Sequence, residues 1–177
     1  MNALSSNAKY AYETETVKQI FRYSNEDLYE IIRIENGTKT GKSFAVGPTG
    51  DGTEALLAFT WNPNPKKNDF VFVYDYNLYY QADPEKPATA RQLTKDGSYL
   101  LRYGVPDWLY EEEILASGDA IWWSESGNFM AYLRYMEIPY PKAGVEENPK
   151  AELYIHSVAT HHAVVVEPPA ELTAMNQ

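Results

Sequence analysis

"FTWNPNPKKNDFVFVYDYNLYY", residues 59–80, is the stretch whose reading decides the fold. Its two ends are runs of Phe, Trp, Val, Tyr and Leu, residues that suit a pleated, half-buried surface. Between them lies "NPNPKKN", which carries turn chemistry: proline presets one backbone angle, and asparagine bonds back to its own main chain. The same layout returns in "IWWSESGNFMAYLRY…AELYI" (121–155), with a Trp, a polar turn, an aromatic strand and a later "LY". Trp61 and Trp123 stand 62 residues apart. "LSSNAKYAYE" (4–13) shows the turn and strand once more upstream. Repeated units of short antiparallel strands predict propeller blades, whose faces are buried only by stacking on neighbours. The expected fold class is therefore all-β, a partial β-propeller of about three blades. The expected units lie near 4–35, 55–95 and 119–166 within a single domain over 1–177. A closed propeller takes at least about four blades, so the chain reads as a piece of a larger protein.

The remaining runs agree with this layout. "KYAYETETVKQIFRY" alternates in part, as a half-buried strand does, and "ALLAFTW", "AELYIHSV" and "HHAVVVE" are short and rich in β-formers. "DPEKPA", "SESGN" and "EENPK" divide them. The one good helical candidate is an insert over about 107–116 that carries a glutamate triplet. Asp107 suits its N-cap, and Trp108, Glu112 and Leu115 follow at helical spacing, with Trp108 expected to anchor the helix.

Bulk composition excludes several classes. Twenty-five acids against fifteen bases, a net charge of −10 and no basic cluster argue against nucleic acid and against an anionic membrane surface. No stretch has the length needed to span a bilayer, and "MNALSSNAKYAYE" lacks the apolar core of a secretion signal, so neither anchor nor signal is expected in the chain as given. With no cysteine there is no disulfide, thiolate catalysis or Cys-based zinc site.

Most motif candidates fail on spacing. "NGTKTGKS" (36–43) ends like a phosphate-binding loop, but Gly37 and Gly41 enclose three residues, one fewer than that loop requires. "GPTGDG" (47–52) reads as a flexible turn. There is no G-x-S-x-G elbow for a nucleophilic serine. Of His156, His161 and His162, the last two lie in a short polar link between two strand runs with no carboxylate at metal-site spacing, so the pair reads as an ordinary turn and no metal or cofactor is expected. Asn36-Gly37-Thr38 is a formal N-glycosylation sequon, of consequence only in a secreted parent. Trp122 and Trp123 read as blade core. Glu111-Glu112-Glu113 admits two readings: a solvated helix face, or adjacent carboxylates whose repulsion a ligand cation relieves.

"YGVPDWLYEEEIL" (103–115), "AIWWSESGNFMAYLRY" (120–135) and "IPYPKAG" (138–144) together resemble the N-terminal β-propeller of the dipeptidyl peptidase IV family of serine exopeptidases. "LSSNAKYAYETETVKQIFRYS" (4–24) looks like an earlier blade of that propeller. The resemblance implies that Glu112 and Glu113 grip the free amino terminus of a peptide substrate. It implies that Arg22 donates to a substrate backbone carbonyl, against the plainer reading of a surface ion pair with Glu15 or Glu26. Glu111 is expected to be structural or solvated. The family releases N-terminal dipeptides, with Pro or Ala second, using an α/β-hydrolase domain whose G-W-S-Y-G-G elbow has no match here, so the chain alone is expected to be inactive. Family members also carry a strand–loop–strand segment between the equivalents of Tyr135 and Ile138 that this sequence lacks. The implied partners are peptide N-termini, the hydrolase domain and a second copy of the parent, which is expected at the cell surface or secreted. The alternatives are a non-catalytic relative serving as a potassium-channel auxiliary subunit, and a truncated isoform that binds the full-length protein.

Overall fold

The computed structural model describes residues 4–136 and 150–169. Their strands form three antiparallel sheets. The first takes β1 (Tyr10–Gln19), β2 (Asn25–Glu35) and β3 (Thr38–Ala45) in that order. The second is a four-stranded meander of β4 (Ala58–Trp61), β5 (Phe70–Tyr74), β6 (Asn77–Gln81) and β7 (Arg91–Gln92). The third holds β8 (Leu101–Tyr103), β9 (Ile121–Trp123), β10 (Phe129–Met136), β11 (Lys150–Ser157) and β12 (His162–Val165). There β11 lies along one edge of β10, while β8 and β9 share the other, at Arg134–Met136 and Met130–Tyr132. This open stack of short-stranded sheets is the partial propeller expected.

The repeat is structural. Leu4, Trp61 and Trp123 each pair with the following strand, at Ala11, Phe70 and Met130. The next residue closes the turn in every sheet: Ser5 N donates to Tyr10 O at 2.9 Å, Asn62 N to Asp69 O at 3.0 Å and Ser124 N to Phe129 O at 2.9 Å. The turns also bond to one another. Ser6 Oγ donates to Asn62 O and Asn7 Nδ2 to Pro65 O, then Asn62 Nδ2 donates to Gly127 O and Asn64 Nδ2 to Ser126 O. Sheet-to-sheet register is thus set at the turns as well as in the core.

β5 explains why sheets must stack. Its FVFV run is fully buried, which needs cover on both faces because side chains alternate along a strand. Phe70 and Phe72 join Tyr10, Ile31, Val46, Leu56 and Phe59 in the cluster shared with the first sheet. Val71 and Val73 join Tyr103, Ile121, Met130 and Tyr132 in the cluster shared with the third. The first interface is an aromatic wedge: Phe59 meets Tyr12 at 4.8 Å, Phe70 at 4.9 Å, Trp61 at 5.1 Å and Tyr29 at 5.3 Å between ring centroids. Edge-on and offset packing of this kind adds to the burial term, about 1.5–3 kcal/mol for each large apolar side chain.

Several expectations change. The first unit does not stop near 35: Asn36 and Gly37, both at positive φ, make a tight hairpin turn, and the sheet continues through β3 to Ala45. Its "TKTGKS" portion is exposed throughout, so no apolar alternation announces it. The third unit starts at Leu101, not 119. His156 lies on β11, as the AELYIHSV run implies, and is buried there. Trp123 packs against the core, but Trp122 faces outward and is exposed. The sequon Asn36 lies on the exposed hairpin. The segment missing between Tyr135 and Ile138 falls largely outside the described residues.

Two predictions follow from the packing. Gly127 sits at φ +64°, and a Cβ there would lie 1.8 Å from Asn62 Oδ1, whereas Gly41 at φ +76° faces open space. Both changes to Ala incur left-handed strain, and Gly127→Ala adds overpacking, so it should cost about 1–3 kcal/mol more than Gly41→Ala in urea unfolding. His156 is 3% exposed, and burial first, then the nearby His161 and His162, pull its pKa down to about 4. The unfolded chain therefore binds this proton more readily, so the histidine's penalty is absent above about pH 6.5 and grows as pH falls towards about 4. His156→Leu should flatten the wild-type loss of Tm across that window relative to its own value at pH 7.5.

Candidate functional site

The glutamates sit on a loop extruded from within a strand. β8 and β9 are two halves of one line along β10, pinched together where the chain leaves and returns. Gly104 N donates to Leu133 O, Leu133 N to Ala120 O and Ala120 N to Gly104 O, at 2.9, 3.1 and 2.8 Å. Residues 105–119 form the excursion. Its helical turn starts at 108, and Tyr110–Leu115 (α1) is wound as a π-helix that ends on Ala116 in the left-handed region. π-helical turns are rare and concentrate at functional positions.

Asp107 caps this turn as expected. Its Oδ1 accepts from Tyr110 N at 2.8 Å, and its carbonyl accepts from Glu111 N at 2.9 Å. Trp108 does not anchor the helix: it is 55% exposed. Anchoring falls to Tyr110, whose ring meets buried Tyr135 edge-on at 4.8 Å, and to Glu111.

The three carboxylates have three different environments. Glu111 is fully buried, and its Oε1 accepts from Tyr23 N at 2.7 Å and Ser24 N at 3.1 Å. Of the two expectations for Glu111, the structural one is met and the solvated one is not. Glu112 is partly buried; Oε1 accepts from Arg22 N at 3.2 Å, and Oε2 lies 3.1 Å from Arg22 Nε. Glu113 is exposed, and its charge also acts on Arg22. Arg22 thus pairs with Glu112, while Glu26, one of its two expected surface partners, pairs with Lys18. Arg22 comes from the tip that joins β1 to β2, ninety residues from Glu112 in sequence.

Arg22 has a side chain 69% exposed, so solvent screens its ion pair and the pair adds little to folding. A hydrogen bond with the Tyr23 side chain, then the charge of Glu112, holds its guanidinium above the ordinary value. Sequence reasoning missed Tyr23, because a lone tyrosine in a turn carries no signal. Beside it opens a polar hollow of about 350 Å³, lined by Tyr12, Tyr23, Asp27, Tyr29, Ser117 and Asp119. Burial raises the pKa of Asp119 there. Arg22 and Glu112 are not part of that lining; with Glu113 they make a charged rim of their own where the β1–β2 tip meets the glutamate loop. Among the described residues no group of three His, Cys, Asp or Glu side chains could hold a metal ion, and no helix is long and apolar enough to cross a membrane.

Comparison with known proteins gives the family and the fold. Residues 5–137 match the family described as the dipeptidyl peptidase IV N-terminal region. Dipeptidyl peptidase family member 2 of Caenorhabditis elegans is 45% identical over 198 aligned residues, covering 99% of this chain and 24% of that protein. Inactive dipeptidyl peptidase 10 of Mus musculus is 30% identical, covering 95% of this chain and 23% of that protein. Prolyl endopeptidase FAP of Bos taurus is 30% identical, covering 86% and 21%. The chain thus spans about a quarter of the length of these relatives. The nematode alignment is longer than the 177-residue chain, so that relative carries residues without a counterpart here. Among solved structures, Porphyromonas gingivalis dipeptidyl peptidase 4 superposes with a TM-score of 0.76 at 23% identity, over 95% of this chain and 25% of that one, and so shares the fold.

The cap is the testable part of this local structure. Asp107→Ala should lower stability by about 1 kcal/mol in urea unfolding, while Asp107→Asn, which keeps an acceptor oxygen, should stay within a few tenths of wild type.

Proposed function

The chain belongs to the dipeptidyl peptidase IV family, in its N-terminal region, and on that premise we propose that it gates substrate entry in a serine-type exopeptidase by holding the free amino end of a peptide. Glu112 and Glu113 are the proposed clamps for the terminal ammonium, and Arg22 the donor to a backbone carbonyl of the same peptide. The observation that carries this reading is the meeting of Glu112 with Arg22 at 3.1 Å from two distant loops.

Charge balance supports the assignment. Two carboxylates and one guanidinium leave a net charge of −1 on this rim, which one ammonium neutralises. Each charge-assisted hydrogen bond to it contributes roughly 1.5–3 kcal/mol where water is partly excluded. An acylated amino end lacks the charge and is rejected. A rigid guanidinium fork alongside suits a carbonyl one residue further in. Fixing the terminus in this way limits how much of the peptide reaches past the clamp, so the product is a dipeptide, X-Pro or X-Ala. The nucleophile belongs to a hydrolase domain elsewhere in the parent, since these 177 residues hold no elbow motif. No cofactor enters this scheme. The parent is proposed to act on peptide N-termini at the cell surface or after secretion, as a homodimer, with Asn36 then available for glycosylation.

A second reading has its own support: a relative named as inactive matches across nearly the whole chain. In that case the rim survives in a parent that has lost the nucleophile. A G-W-S-Y-G-G elbow in the parent's sequence selects the peptidase, and a substituted serine selects the non-catalytic reading.

In the full-length protein, Glu112→Gln and Glu113→Gln should each lower kcat/KM for a Gly-Pro anilide by about tenfold to a hundredfold, with the Tm essentially unchanged. KM should also climb above about pH 8, as the substrate amine loses its proton. A lowered Tm with unaltered kinetics in both variants would refute the clamp.

A further inference from the structure

Glu111 is a carboxylate with no route to a ligand, yet it sits between the two elements that make the rim. Its Oε1 collects the N–H groups of Tyr23 and Ser24, and Glu112 Oε1 collects that of Arg22. Three consecutive amides of the β1–β2 tip are therefore held by two consecutive glutamates. The far end of the loop closes on the same tip from another side: a Cβ on Gly118 would lie 2.3 Å from Tyr23 O and 2.9 Å from Ser24 Cα. The tip is clamped between Glu111 and Gly118, and Arg22 is the residue it presents.

Burying a carboxylate is costly unless its oxygens are hydrogen-bonded. Here one oxygen has two amide donors and the other has no partner in the described structure. A valine or leucine would fill the space but leave the Tyr23 and Ser24 amides without their acceptor, so filling volume is not what the carboxylate is for. What only an acceptor provides is a fixed position for Tyr23 and Ser24 amides, and through them for the backbone and side chain of Arg22.

We propose that Glu111 is a positioning residue: it locks the 22–24 tip against the insert so that Arg22 and Glu112 face one substrate end. This rests on the amine-clamp reading above and assigns the part of the triplet that reading leaves out. The role belongs to the acceptor oxygen, not to the negative charge. Glutamine, which keeps that oxygen, should replace it, and leucine should not.

The test has a structural and a kinetic arm. In the 177-residue chain, amide hydrogen exchange at Tyr23 and Ser24 should quicken in Glu111→Leu by about tenfold or more and stay near wild type in Glu111→Gln. In the full-length protein, Glu111→Leu should raise KM for a Gly-Pro anilide about tenfold while kcat moves less than about threefold, and Glu111→Gln should restore KM. Gly118→Ala, which displaces the tip from its other side, should raise KM in the same way and serves if the leucine variant does not fold. Faster exchange with unmoved KM, or equal behaviour of the Gln and Leu variants, would overturn the proposal. If Glu112→Gln and Glu113→Gln leave kcat/KM untouched, the clamp reading itself has failed, whatever Glu111 does.

Discussion

The structure depends on β5 being buried on both faces. A strand reading Phe-Val-Phe-Val cannot sit at the surface of a single sheet without exposing one face, so it demands a neighbour on each side. The first and third sheets are those neighbours, and they differ in kind. One presents aromatic rings that wedge against Phe70 and Phe72, the other aliphatic and tyrosine side chains against Val71 and Val73. Because β5 serves both interfaces, a change of volume there is felt in two directions.

That arrangement also makes the rim. Arg22 belongs to the tip of the first sheet and the glutamates to a loop of the third, with the second sheet lying between their cores. The loop costs the third sheet little, because the pinch at Gly104, Ala120 and Leu133 passes the hydrogen-bond line across the gap. A strand thus releases fifteen residues, 105–119, without losing its place in the sheet. The three glutamates then divide by depth: one bonds the tip, one meets the guanidinium, and one stands in water.

Much of this was legible in residue order, for reasons that can be named. Runs such as FVFVY and AFTW between polar turns announce strands, and the tryptophans at 61 and 123 mark equivalent corners, each pairing with the start of the next strand. Asp107 was legible because capping is a local interaction, settled within three residues. What stayed hidden was non-local. β3 is exposed and lacks apolar side chains over its first six residues, TKTGKS, so the strand character there comes from pairing with β2 rather than from its own pattern. Trp108 stands at helical spacing with Glu112 and Leu115, but spacing does not say which side of the turn is packed, and Tyr110 and Glu111 take the inward positions. The burial of Glu111 had no sequence signal at all: three identical residues in a row cannot show which one faces inward.

Geometry of the rim is therefore a property of the whole stack rather than of the triplet. The 3.1 Å between Glu112 and Arg22 is exposed on one side and could not hold two flexible side chains together on its own strength. It persists because their backbones are placed by buried contacts: Glu111 on the amides of 23 and 24, Tyr110 on Tyr135, and the aromatic wedge under β1 and β2. An acidic chain with a net charge of −10 would otherwise gain by separating three adjacent glutamates. Drawing one of them into the interior, where donors await it, is what allows the other two to stand side by side.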